Sequence, residues 1–261
     1  PSIFDTSRPF SIIIPTFQRH PELCQCLDNL APYFDSATRS AQDIFIEVIV
    51  SDDARDPQLK PLLLKRYPWC RYTEGPARGP AANRNHGAKL ATAEWIIFTD
   101  DDCVPQPGWI QAYSKSTSQF DVLEGRTSPL GVRTRVDDEC PINVTGGYLW
   151  SCNFAIRRNT FWQLGGFNEI FPAAAMEDVE LNRRINKMFL RRQFLYNAEV
   201  KHPWRKRKGR NFLKAHAQSV ATYVRLHPET APSFSQLSLV LNLFRSLKDT
   251  LGTCVSTGNF R

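Results

Sequence analysis

Three consecutive aspartates, Asp100, Asp101 and Asp102, stand directly behind the apolar run "WIIFT" at 95–99. Neighbouring carboxylates repel one another and resist desolvation, so a cation or full solvation has to offset the cost. In an extended or turn segment Asp100 and Asp102 point to one side and can share a hard divalent cation, Mg²⁺ or Mn²⁺. Such an ion keeps open positions for phosphate oxygens, which suits a nucleotide-diphosphate ligand. A solvated acidic turn is the competing explanation. A second pair, Asp52 and Asp53, closes "VIVSDD". These two can accept hydrogen bonds from ribose hydroxyls or a base N–H, or else cap the following turn.

Further along, "EGPARGPAANRNHGAKLA" joins a Gly/Pro loop to an alanine-rich helix bearing Arg78 and Arg84. A helix start with a nearby arginine holds anions, and an ordinary basic surface helix has the same composition. Glu177 and Asp178 open a helical stretch, where acids are favoured by the helix dipole, and Glu180 with Arg184 is a standard i,i+4 pair. A carboxylate at such a place also serves as general base if it reaches the substrate hydroxyl. His202 is either a metal ligand or a surface histidine. The basic cluster "KHPWRKRKGR" at 201–210 engages diphosphate or anionic lipid, or is simply solvated.

The elements that must position these residues follow from periodicity. "FSIIIP" (10–15), "IFIEVIVS" (44–51) and "EWIIFT" (94–99) are β-branched apolar runs that read as buried strands. Helix-sized segments at 21–33, 57–66 and 80–91 alternate with them, so the chain is α/β with a mostly parallel sheet. Ligands in such sheets bind beyond the carboxyl ends of the strands, where both acidic groups fall. A strand at 147–158 leading into a helix at 159–164, the helix "MEDVELNRRINKM", and helices at 211–227 and 235–251 complete the expectation. The last carries an apolar stripe from Leu237 to Leu251. Two units are expected, a nucleotide-binding domain over 1–208 and a helical extension over 209–261.

The 261-residue length is enough for one large α/β domain, and 42% hydrophobic content argues against wholesale disorder. The net charge of +7 favours anionic partners without choosing among them. Seven cysteines without a CxxC pair suit reduced thiols, and no apolar run is long enough to span a bilayer. The opening residues lack the basic and apolar regions of a secretory signal, so a cytoplasmic location is expected, with peripheral membrane contact through 201–210 and the C-terminal helix.

Taken together, these segments resemble the large inverting glycosyltransferase family 2 with the GT-A fold. "SIIIPTFQR" is similar to its opening strand and PTxNR-type turn, with Gln18 where Asn is common. "VIVSDDARD" resembles its VVDDGSxD segment, lacking the Gly and one residue shorter. "GPAANRNHG" resembles its arginine-asparagine stretch and "IIFTDDDCVPQPGWI" its DxD segment. "CNFAIRRNTFWQLGGFNE" and "EDVELNRRI" match acceptor-side segments. The similarity spans roughly 10–205, and several weak motifs in order are more specific than any one.

The resemblance implies a Rossmann-like GT-A domain that binds a nucleotide-sugar, most often a UDP-sugar, through Pro15, Thr16, Asp52, Asp53, Arg78, Arg84, Asp100 and Asp101. Asp53 would contact the base. Asp102 and His202 would bind Mn²⁺ or Mg²⁺, Asp178 would be the catalytic base, and Trp150, Asn153 and Glu177 would lie on the side of a glycan, lipid-linked or protein acceptor. No nucleic-acid partner is expected. Two alternatives are a DxDxT-type aspartyl phosphatase or phosphotransferase, for which "FTDDDC" lacks the Thr, and a non-catalytic basic module docking through 201–210.

Overall fold

The computed structural model describes residues 9–35, 44, 46–135, 138–171, 173–206 and 209–234. In chain order the elements are β1 (Phe10–Thr16), α1 (His20–Leu30), β2 (Ile46–Asp52), α2 (Leu59–Arg66), β3 (Cys70–Glu74), α3 (Pro80–Lys89), β4 (Trp95–Thr99), β5 (Val104–Pro105) and α4 (Trp109–Ser114). They continue with β6 (Val122–Leu130), β7 (Asp138–Glu139), β8 (Asn153–Arg157), α5 (Arg158–Gln163), α6 (Glu177–Lys187), β9 (Arg192–Pro203), β10 (Arg205–Lys206) and α7 (Gly209–Leu226).

Eight strands form one sheet in the order β3-β2-β1-β4-β8-β6-β9-β5. β1 pairs in parallel with β2 and β4, and β2 with β3, while β8 runs antiparallel to both β4 and β6. The parallel β6–β9 pair returns the chain, with a register shift between Gly125 and Arg126, so that His202 ends opposite Pro129. The result is a mixed, mostly parallel sheet flanked by helices, the GT-A arrangement.

Alternation along the strands builds two cores. Ile12, Ile14, Val48 and Val50 pack with α1, α2 and α4 on one face, while Ile13, Ile49, Ile96 and Phe98 pack with α3, α5 and α6 on the other. Every residue of β1, β2 and β4 is buried. Each large aliphatic side chain contributes about 1.5–3 kcal/mol on burial, so the strands have one stable register. That register fixes the depth of Thr16, Asp52 and Asp100 at their carboxyl ends. The helix α3 seats closely on β1 through Gly87, where a Cβ would lie 2.7 Å from Ile13 Cγ2.

The structure adds three longer strands that hydrophobic periodicity does not signal, β3, β6 and β9, and the two-residue strands β5, β7 and β10. The expected strand at 147–158 is shorter, Asn153–Arg157, because 147–152 form a turn-rich approach. The helix expected at 211–227 spans 209–226, and the one expected at 235–251, with its apolar stripe, lies outside the described residues. Among the described residues, no helix is long and apolar enough to cross a membrane.

Candidate active site

The carboxyl ends of β1, β2 and β4 meet the start of α6 and the end of β9, and arginines from three separate segments compensate the aspartate triplet. Arg19, which follows Gln18 in a left-handed conformation (φ 54°), reaches Asp101 Oδ1 at 2.9 Å and Asp102 Oδ2 at 3.1 Å. Arg205 pairs with Asp102 Oδ2 from the other side. Arg84, only 4% exposed, bridges Asp100 Oδ1 at 2.7 Å and Glu177 Oε1 at 3.0 Å. The cost raised by three adjacent carboxylates is therefore offset within the protein itself.

The three aspartates are not equivalent. Burial alone would raise Asp100, but Arg84 and Arg205 hold it well below the usual carboxylate range. Burial, reinforced by the charges of Asp102 and Asp100, pushes Asp101 up to about 7 against the pull of Arg19. Asp101 is fully buried and accepts the Thr16 hydroxyl at 2.7 Å, with Pro15 buried beside it. Asp101, Thr16 and Pro15 thus support the site from beneath and present no ligand surface, in contrast to the expectation of direct nucleotide contact.

Asp52 also departs from that expectation. Its carboxylate is fully buried and caps the next turn, accepting Ala54 N at 3.0 Å and Asp56 N at 2.7 Å. Asp53 accepts Ala77 N at 2.7 Å and Gly79 N at 2.8 Å, so it shapes the 75–79 loop and keeps its remaining lone pairs for a ligand. Asn83, which sequence reasoning did not single out, fastens α3 to the end of β2 by donating to Ser51 O at 2.8 Å and accepting the Ser51 hydroxyl at 2.6 Å. Arg84 is spent on two carboxylates, so it is no anion clamp. Arg78 is exposed and pairs with Glu169 at 2.9 Å.

On the opposite wall, α6 begins at Glu177 behind Met176, which is left-handed (φ 72°). Asp178 accepts its own helix's Val179 N at 2.8 Å and Ser151 N at 3.3 Å and remains partly exposed. Burial raises the carboxyl groups of both Glu177 and Asp178, and their mutual repulsion adds to it for Glu177, while Arg84 opposes the rise in both. Glu177 Oε2 has no hydrogen-bond partner. The expected Glu180–Arg184 pair forms at 2.6 Å. Trp150 donates to Ile142 O at 3.0 Å and stacks on Tyr148, with ring centroids 5.5 Å apart.

Asn153 is a correction of a different kind. It donates to Arg126 O at 2.7 Å and Ala198 O at 2.9 Å, and accepts Trp109 Nε1 at 2.9 Å and Tyr113 Oη at 2.8 Å. All four of its hydrogen-bonding positions are used, so it pins α4 to β6 and β9 and has nothing left for an acceptor.

His202, 1% exposed, donates from Nδ1 to Pro203 O at 2.8 Å, which leaves Nε2 as a lone pair. Burial lowers its tendency to protonate despite Asp102 nearby. Nε2 faces Asp102 Oδ1 at 3.4 Å, and that buried oxygen has no hydrogen-bond donor. Two acceptors facing each other fit a shared cation. The Cys103 sulfur lies with them, all three ligand atoms being within 4.8 Å of one another.

Comparison with known proteins bears out the resemblance. Residues 11–116 match the family model described as "Glycosyl transferase family 2". The chain is 24% identical over 220 residues to validoxylamine A glucosyltransferase of Streptomyces hygroscopicus subsp. limoneus, covering 67% of this chain and 47% of that protein. It is 27% identical over 186 residues to N-acetylgalactosaminyltransferase 6 of Drosophila melanogaster, covering 56% and 27%. The chain thus spans half or less of the length of these relatives. Among solved structures, S. aureus TarS 1–349 in complex with UDP-GlcNAc superposes with a TM-score of 0.57 at 20% identity, over 78% of this chain and 60% of that one, a likeness of fold.

Proposed function

With residues 11–116 matching glycosyltransferase family 2 on a GT-A sheet, we propose that the chain transfers a sugar from a nucleotide-diphosphate donor, a UDP-sugar, to an acceptor hydroxyl with inversion at the anomeric carbon. The observation that carries this reading is the partly exposed Asp178, whose carboxyl is raised above the ordinary range and which adjoins Glu177, tied to Asp100 at the end of β4 through Arg84. A base poised nearer neutrality accepts a hydroxyl proton more effectively than an ordinary aspartate.

Asp178 takes the proton from the acceptor oxygen as that oxygen attacks the face opposite the leaving diphosphate. The backbone N–H of Ser151 at 3.3 Å orients the carboxylate. Arg84 holds Glu177 and Asp100 in register, so the base wall and the donor wall keep a fixed separation. Arg19 and Arg205 are 36% and 41% exposed at the side chain, and they can turn from Asp102 toward departing diphosphate oxygens. Asp102 and His202 would hold a divalent cation, Mn²⁺ or Mg²⁺ by family resemblance, which as a Lewis acid stabilises the negative charge of the leaving diphosphate. The donor's base meets Asp53 and the 75–79 loop that Asp53 shapes.

Asp178→Asn tests the assignment. Donor binding by calorimetry stays within about twofold of the parent, while turnover falls by about 100-fold or more, the range of a lost general base. Parallel losses in binding and turnover would instead make Asp178 a structural residue.

A further inference from the structure

Building on the cation site proposed above, we infer that Cys103 is its third protein ligand, giving an oxygen, nitrogen and sulfur set that selects a thiophilic divalent cation such as Zn²⁺ over Mg²⁺. The argument begins with what Asp102 has left to give. Its Oδ2 is taken by Arg19 and Arg205, so only Oδ1 is free, and that oxygen is buried without a donor. A Mg²⁺ ion wants an octahedral shell of hard oxygens, and one carboxylate oxygen is a poor start on it. His202 Nε2 and Cys103 Sγ are the other two atoms within reach, and both residues are buried.

Bonds of about 2.0 Å to nitrogen or oxygen and about 2.3 Å to sulfur put tetrahedral ligands roughly 3.3–3.8 Å apart. The present spread, all within 4.8 Å, exceeds that range by about 1 Å at most. The sulfur is not otherwise committed, since among the described residues its only hydrogen bond is a weak one to Cys152 O at 3.7 Å. The imidazole is already locked in the tautomer a metal needs by its Nδ1 bond to Pro203 O. Three protein ligands and one open position make the donor set of a tetrahedral cation that still accepts a substrate oxygen. On binding, the S–H proton passes to solvent as the metal–sulfur bond forms.

Co²⁺ titrated into the metal-free protein is the test, because cobalt bound to a thiolate shows a sulfur-to-metal charge-transfer band and cobalt bound to oxygen and nitrogen alone does not. The band is expected in the parent and in Cys152→Ala, and absent in Cys103→Ser. Zn²⁺ affinity should fall by about tenfold or more in Cys103→Ser while Mn²⁺ affinity moves by less than about twofold. Co²⁺ binding without the band in the parent, or a band that survives in Cys103→Ser, overturns the role of Cys103 and leaves the Asp102–His202 site standing. Failure of Co²⁺, Zn²⁺ and Mn²⁺ alike to bind the parent overturns the cation site itself, and this inference with it.

Discussion

Replacing Arg84 by Gln removes a side chain that bridges both walls of the site. The guanidinium is 4% exposed and sits 2.7 Å from Asp100 and 3.0 Å from Glu177, whose side chains are 14% and 3% exposed. Deleting one partner of a buried ion pair costs about 3–5 kcal/mol, because the abandoned charge stays desolvated; here that charge is Asp100, since Glu177, already raised by burial, takes up a proton once Arg84 is gone. Urea unfolding at neutral pH should therefore show a loss within that range. The pH dependence has a definite sign. Asp100 is held below its ordinary value of 3.8, so the stabilisation it draws from Arg84 is complete above that value and disappears as pH falls through the lower folded value. The deficit of Arg84→Gln is thus largest near neutrality and shrinks below about pH 4. Arg84 also opposes the rise of Asp178, so its removal moves the acid limb of kcat/KM upward, each unit corresponding to about 1.4 kcal/mol. Arg84→Lys keeps the charge without the two-pronged fork and should restore the limb more fully than the stability. A deficit under about 1 kcal/mol, or one of equal size at neutral and strongly acid pH, refutes the bridge as described.

Two other substitutions separate structural from chemical roles. Asn153→Ala leaves Trp109, Tyr113 and two carbonyls without partners, and should cost about 3 kcal/mol or more in chemical denaturation while the residual folded enzyme keeps the parent's acceptor KM; a raised KM at full stability would put Asn153 at the acceptor after all. Asp102→Ala should abolish the Mn²⁺ dependence of UDP binding measured by calorimetry, and equal affinities with and without the ion in the parent protein would remove the metal from that site.

Where the sequence was legible, one physical signal dominated. β1, β2 and β4 are continuous β-branched apolar runs because both of their faces are covered. β6, by contrast, interrupts its apolar residues with Glu124, Gly125 and Pro129, and β9 alternates buried Ala198, Val200 and His202 with Asn197, Glu199 and Lys201 over its second half only, so neither is a continuous apolar run. The acidic strand ends could be placed, because strand register carries them there. Which carboxylate faces the cleft could not, since a one-residue step along a turn exchanges a buried support such as Asp101 for a carboxylate such as Asp102 that faces His202. Arg19 was hidden for a related reason. Its reach to two aspartates depends on Gln18 adopting φ 54°, a turn geometry that residue type alone does not specify. Asn153 was misassigned because a polar residue at the head of a strand looks the same whether it meets a ligand or four internal partners.

The arrangement of arginines explains why a triplet of aspartates is tolerable before any ligand arrives. Arg19 follows β1, Arg84 belongs to α3 and Arg205 follows β9, so the compensating charges converge only when the sheet is complete. Asp100 and Asp102 are satisfied differently as a result. Asp100 is locked to a buried arginine that holds its carboxyl well below the usual range, whereas the arginines on Asp102 are partly exposed. An incoming cation on Asp102 Oδ1 would weaken the pull of that carboxylate on Arg19 and Arg205, which sit on Oδ2, and so leave both more available to an anionic diphosphate. Cation and donor binding should therefore be mutually reinforcing, and the coupling has to be reciprocal, with UDP tightening Mn²⁺ by the same factor as Mn²⁺ tightens UDP.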